Sequence, residues 1–147
     1  RGNALYRDSM KREMGAELRQ LFSFFAKEEE KHADILREQL VALKAGDPLV
    51  FKERPMEKMD IGFSIQQIAA AINAAGFESA LVSAALDFER RAYEFYSEQS
   101  ANEEDPGLKA LYNWLAGWER RHMELFAELD NEIKESIWYD NNFWPLD

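Results

Sequence analysis

Two histidines occur in the 147 residues, and each has a glutamate three positions before it, in Glu29-Glu30-Lys31-His32 and Glu119-Arg120-Arg121-His122. Side chains at i and i+3 of an α-helix lie on one face, so each segment could offer a carboxylate and an imidazole to one metal ion. Two such helices, each paired with a helix bearing one more inward Glu, would make a carboxylate-bridged site for two iron or manganese ions inside a four-helix bundle. One Glu-x-x-His carries little weight in a chain with 28 acidic residues. Two copies in register with an internal repeat carry far more.

The elements that must position these residues are helical. Residues 1–14 read as the end of a helix, with Gly15 as its stop. From Ala16 to about Ala45, Leu18, Leu21, Phe22, Phe25, Glu29, His32, Leu36 and Leu40 recur at steps of three and four. Glu29 and His32 thus fall where the period demands apolar residues, and a buried carboxylate is costly unless paired or metal-bound. Glu28 and Glu30 read as solvated neighbours. Gly46-Asp47-Pro48 ends this helix, and 47–63 shows no helical period. Extended at about 3.3 Å per residue, that linker could run the length of a 30-residue helix rising about 1.5 Å per residue, so the hairpins it joins are expected to be linked by a long crossover. Ser64 is a suitable N-cap for a short helix within 64–76.

A third long helix is expected from about Glu78 to Ala101, with Leu81, Ala85, Glu89, Ala92 and Tyr96 facing in. Asp105-Pro106 then supplies an N-cap and a proline at the first helical position. The fourth helix is expected to reach about Ser136, with Leu108, Leu111, Leu115, Glu119, His122, Phe126 and Leu129 inward. The aromatic stretch 137–147 is expected to pack on the bundle or on a second subunit.

A shift of 90 residues overlays the halves: Tyr6 on Tyr96, Leu18 on Leu108, Leu21 on Leu111, Glu29 on Glu119 and His32 on His122. The expected fold is therefore all-α, a single ferritin-like domain of two repeated hairpins (1–46 and 77–136). The same shift projects Glu89 two residues before Arg1, so a further glutamate is expected there, in a natural polypeptide that extends upstream of Arg1.

Composition narrows the alternatives. A net charge of −10 argues against nucleic acid and anionic membrane surfaces as partners. The chain has no Cys, which excludes disulfides, Cys-ligated metal centres and a thiol nucleophile within these residues. No apolar run approaches the roughly 18 residues of a membrane span and no signal peptide is visible, so a cytoplasmic location is expected.

The paired motifs and the repeat resemble the rubrerythrin family. Each half is similar to that family's pattern of Glu, an aromatic seven residues on, a Leu-rich stretch and then Glu-x-x-His. The resemblance carries over to Glu89, Tyr96, Glu119 and His122 in one half, and to Gly2, Tyr6, Glu29 and His32 in the other. It implies that Glu29, His32, Glu89, Glu119 and His122 ligate two iron ions, manganese being an alternative, with the Glu-x-x-His glutamates bridging. Tyr6 and Tyr96 either support ligand carboxylates or fill the core; Trp114 and Trp118 read as packing. Typical rubrerythrins also carry a Cys-rich iron domain, which residues without Cys cannot form. Ala92 stands where some relatives place another Glu.

The implied activity is reduction of peroxide or O₂ in oxidative stress, with electrons from an external donor protein and the chain as a homodimer or higher homo-oligomer. Two alternatives stay open: a ferroxidase, with Fe²⁺ as substrate, and a non-enzymatic helical bundle acting through association.

Overall fold

The computed structural model describes residues 2–47, 51, 55, 58–72 and 76–142, the side chains of 137–142 excepted. Within them the order is α1 (Gly2–Ser9), α2 (Ala16–Lys44), α3 (Ile65–Ala71), α4 (Phe77–Asn102) and α5 (Pro106–Asn142), with no strand among the described residues. α1 packs along α2, α4 along α5, and α3 lies on α5. The fold is an all-α ferritin-like bundle. No helix among the described residues is long and apolar enough to cross a membrane.

Local signals explain most helix ends. At the end of α2, Gly46 adopts φ +78°, a conformation that only glycine takes without strain. The amide of Asp47 then donates to Ala42 O at 3.1 Å, closing the helix in a Schellman-type turn. Ser64 caps α3 with a full capping box, its Oγ accepting from the Gln67 amide while the Gln67 side chain accepts from the Ser64 amide. Asp105 Oδ1 accepts from the Leu108 amide at 2.9 Å, with Pro106 opening α5.

Several expectations are corrected. α1 ends at Ser9, and Gly15, in extended backbone, is the N-cap residue of α2 rather than a stop. Arg19 donates to Met10 O and Arg12 O, tying down the turn between them. α5 continues to Asn142, past Ser136. The packing expected of the 137–147 side chains lies outside the described residues. Leu40, expected on the inward face, is 51% exposed. On α4 the buried face centres on Val82, Ala85, Leu86 and Glu89; Leu81, Ala92 and Tyr96 are only half-buried. Glu28 is buried, with Lys31 reaching over it to Oε1 at 3.1 Å.

The core is built in two layers along the same helices. One gathers Tyr6, Leu18, Leu21, Phe22, Phe25, Val82, Ala85, Phe126, Leu129 and Ile133. The other gathers Leu111, Trp114, Leu115 and Trp118, with Ile35, Leu36, Phe51 and Tyr96 against them. Along α2, α4 and α5 the boundary between the layers falls at Glu29 and His32, at Glu89, and at Glu119 and His122. In the first layer Phe126 is tilted on Phe25 at 4.6 Å, stacked on Tyr6 at 6.1 Å and edge-on to Phe22 at 6.3 Å. We expect Phe126→Ala to cost about 3–5 kcal/mol, since a ring with three aromatic neighbours leaves a cavity that cannot collapse; denaturant unfolding measures it.

Candidate metal centre

Helical register brings the residues together. Glu29 and His32 project from α2, Glu89 from α4, and Glu119 and His122 from α5 into the layer boundary. Glu29, Glu89, Glu119 and His122 each offer one ligand atom, and these atoms all lie within 4.8 Å of one another. His32 stands beside the four. Its Nδ1 lies 3.0 Å from Glu119 Oε1, and its ring stacks on that of His122 at 5.7 Å.

The pairing crosses between the hairpins. His32 finds its carboxylate on α5, and His122 Nδ1 faces Glu89 Oε2 at 3.5 Å, Glu29 Oε1 at 3.6 Å and Glu119 Oε2 at 3.7 Å. Glu119 therefore turns one oxygen to each histidine. Glu29 Oε1, Glu89 Oε2, Glu119 Oε2 and His122 Nδ1 are all buried without a hydrogen-bond partner. Native interiors rarely leave such atoms unpaired, and four of them converging is the donor set a hard cation requires. Carboxylate oxygens and imidazole nitrogens fit iron or manganese.

Electrostatics follow from that convergence. Burial first, and then the neighbouring Glu119, push the Glu89 carboxyl up to about 8. Burial works against a charged ring at His122, but Glu119, Glu29 and Glu89 outweigh it and hold its pKa well above the ordinary range. At His32 burial prevails and lowers the pKa, with His122 adding to the effect and Glu29 opposing it. Tyr6, fully buried, donates its hydroxyl to Glu89 Oε1 at 2.5 Å. That bond leaves Glu89 Oε2 turned to the cluster, and burial together with Glu89 keeps the phenol protonated. Tyr96 lines the edge of the site between Phe95 and Tyr112, its pKa pushed up to about 12 by burial and by Glu119 and Glu29.

A cavity of about 410 Å³ reaches the centre, with Gly2, Glu29, His32, Phe88, Tyr96 and Glu119 in its wall. Gly2 is there for space. A Cβ on it would lie 2.9 Å from Cγ, Cδ and Oε2 of Glu29. Only the repeat and the resemblance pointed to Gly2; nothing in residue type alone did. Burial of Glu28 is not evident from the sequence, because the first of three consecutive glutamates on a helix reads as solvent-facing.

The family model described as Rubrerythrin matches residues 3–130. No curated protein and no solved structure gives a match.

Two outcomes are expected. In the metal-free protein, folded Glu89 and His122 both bind protons more tightly than in the unfolded chain. Their stabilisation is therefore present at low pH and lost as pH rises through the folded values. His32 works the other way, but only below its ordinary value of about 6.5. Thermal melts without metal should thus fall between about pH 6.5 and 8.5, and Glu89→Gln should flatten much of that slope. A melt that rises over this window contradicts the buried site. Gly2→Ala should change stability little, because the Glu29 side chain can swing aside, yet lower metal affinity by displacing its carboxylate, which titration with Mn²⁺ would measure.

Proposed function

The chain belongs to the rubrerythrin family, and on that premise we propose that it is a di-iron oxidoreductase reducing hydrogen peroxide or O₂. Four unpaired ligand atoms gathered within 4.8 Å at the layer boundary carry this reading. Glu29, Glu89, Glu119, His32 and His122 would hold two iron ions, Glu119 turning one oxygen to each histidine. The bound iron pair would supply both electrons that cleave an O–O bond, so that H₂O₂ with two electrons and two protons becomes two waters.

The side chains do the rest. Phe88 and Tyr96 line the cavity that borders Glu29, His32 and Glu119. Phe25, packed edge-on to the His122 ring at 4.8 Å, and Trp118 at 5.9 Å wall off the opposite side from water. Tyr6 holds Glu89 through its hydroxyl, so the carboxylate keeps one oxygen for the metal. The reading includes an external electron-donor protein, self-association as a homodimer and a cytoplasmic setting of oxidative stress.

Loaded anaerobically with Fe²⁺, the protein should take up to two ions per chain and oxidise both with about one H₂O₂, keeping the iron bound. Iron released on each turnover would point to ferroxidase activity instead. His32→Ala and His122→Ala should each lose most of one ion by removing its nitrogen ligand. Full occupancy in both variants would refute the assignment.

A further inference from the structure

A histidine that ligates a metal commonly donates its second ring N–H to a carboxylate, a backbone carbonyl or water, and that bond fixes the angle of the ring. Neither imidazole of this site makes such a bond. Nδ1 of each ring faces carboxylate oxygens. Nε2 of each, in His32 and in His122, is buried without a hydrogen-bond partner. Something other than a hydrogen bond must therefore hold each ring toward the carboxylates.

What surrounds the two rings is aromatic. Trp118 stands close to perpendicular to both, 5.1 Å from the His32 ring at 76° and 5.9 Å from the His122 ring at 75°. Phe25 adds a second perpendicular ring at His122, 4.8 Å away at 82°. Trp114 adds one at His32, 6.2 Å away at 66°. The imidazoles themselves lie nearly parallel, 5.7 Å apart at 10°. Perpendicular contact is a preferred arrangement of aromatic pairs, and in a close-packed interior neither imidazole can turn without displacing the indole. Trp118 is held in its turn, 5% exposed, with Trp114 at 5.7 Å and the Arg121 guanidinium 5.8 Å from its ring. The 90-residue repeat supplies no second indole, because the place equivalent to Trp118 is Glu28. One ring serves both halves.

We propose that Trp118 is the shared positioning residue of the metal centre, an indole whose packing against both imidazoles sets their angle toward the ions, with Phe25 completing the hold on His122 and Trp114 the hold on His32. The proposal rests on the metal reading of the two histidines.

Mn²⁺ titration, followed by the electron paramagnetic resonance signal of the free ion, tests it through a pattern of selectivity. Trp118→Leu should weaken both ions by about 10-fold, the lower end of what loss of a ligand's outer partner costs. Trp118→Phe, which keeps an aromatic ring at the position, should recover most of that affinity. In His32→Ala, where the ion held by His122 remains, Trp118→Leu and Phe25→Leu should still weaken binding and Trp114→Leu should not. In His122→Ala the roles of Phe25→Leu and Trp114→Leu should reverse. Leu111→Ala opens a cavity in the same layer two turns away, and should lower stability while leaving Mn²⁺ affinity unchanged. An equal loss of affinity in Leu111→Ala, or wild-type affinity in Trp118→Leu, would overturn the proposal and leave the metal centre standing. Where Trp118→Leu does not fold, the opposite selectivities of Phe25→Leu and Trp114→Leu decide, and their absence overturns it equally. A crystal structure of the Mn²⁺-loaded protein with a hydrogen-bond acceptor on either Nε2 would do the same. Wild-type protein that binds no Mn²⁺ would instead defeat the metal reading, and the proposal with it.

Discussion

Carboxylates taken out of water in an apolar interior need a cation, and the interior of this bundle is arranged around that need. Glu89 and Glu119 are essentially inaccessible, and His122 lies among them with no other hydrogen-bonding neighbour for its Nδ1. Without metal, protons are the only compensation within reach, which is why Glu89 is pushed up to about 8 and His122 is held charged. The same stress suits the site to a dication, since one ion can satisfy several oxygens that otherwise repel one another.

The two hydrophobic layers give this stress its rigidity. Tyr6, Phe22, Phe25 and Phe126 form a packed ring cluster below the site, and Trp114 and Trp118 pack edge to face above it. Ligands at the junction sit on long helices rather than loops, so their positions are fixed by packing along α2, α4 and α5. Tyr6 joins the two functions, one face in the aromatic cluster and its hydroxyl on Glu89.

The repeat is a symmetry of ligands and not of surroundings. Glu29 is more accessible than Glu119, and it faces the cavity beside Gly2, whereas Glu119 is buried between both histidines. Beside His122 there are aromatic rings; beside His32 there is a cavity walled by Lys31, Ile35, Trp114 and Trp118.

Periodicity was enough to determine the helices and the placement of Glu29, His32, Glu89, Glu119 and His122 on apolar faces, because a charged residue at a core position is visible as a break in a 3.6-residue pattern. The 90-residue repeat determined that these positions share one level of the bundle. Which carboxylate meets which histidine was decided only by tertiary packing: the sequence suggested pairing within each helix, and the hairpins cross so that His32 meets Glu119. Burial of Glu28 was decided there too, since a run of three glutamates gives no local sign of which one the packed helices cover. The extent of α5 and the exposure of Leu40 depend on tertiary packing, which a local pattern of residues does not encode.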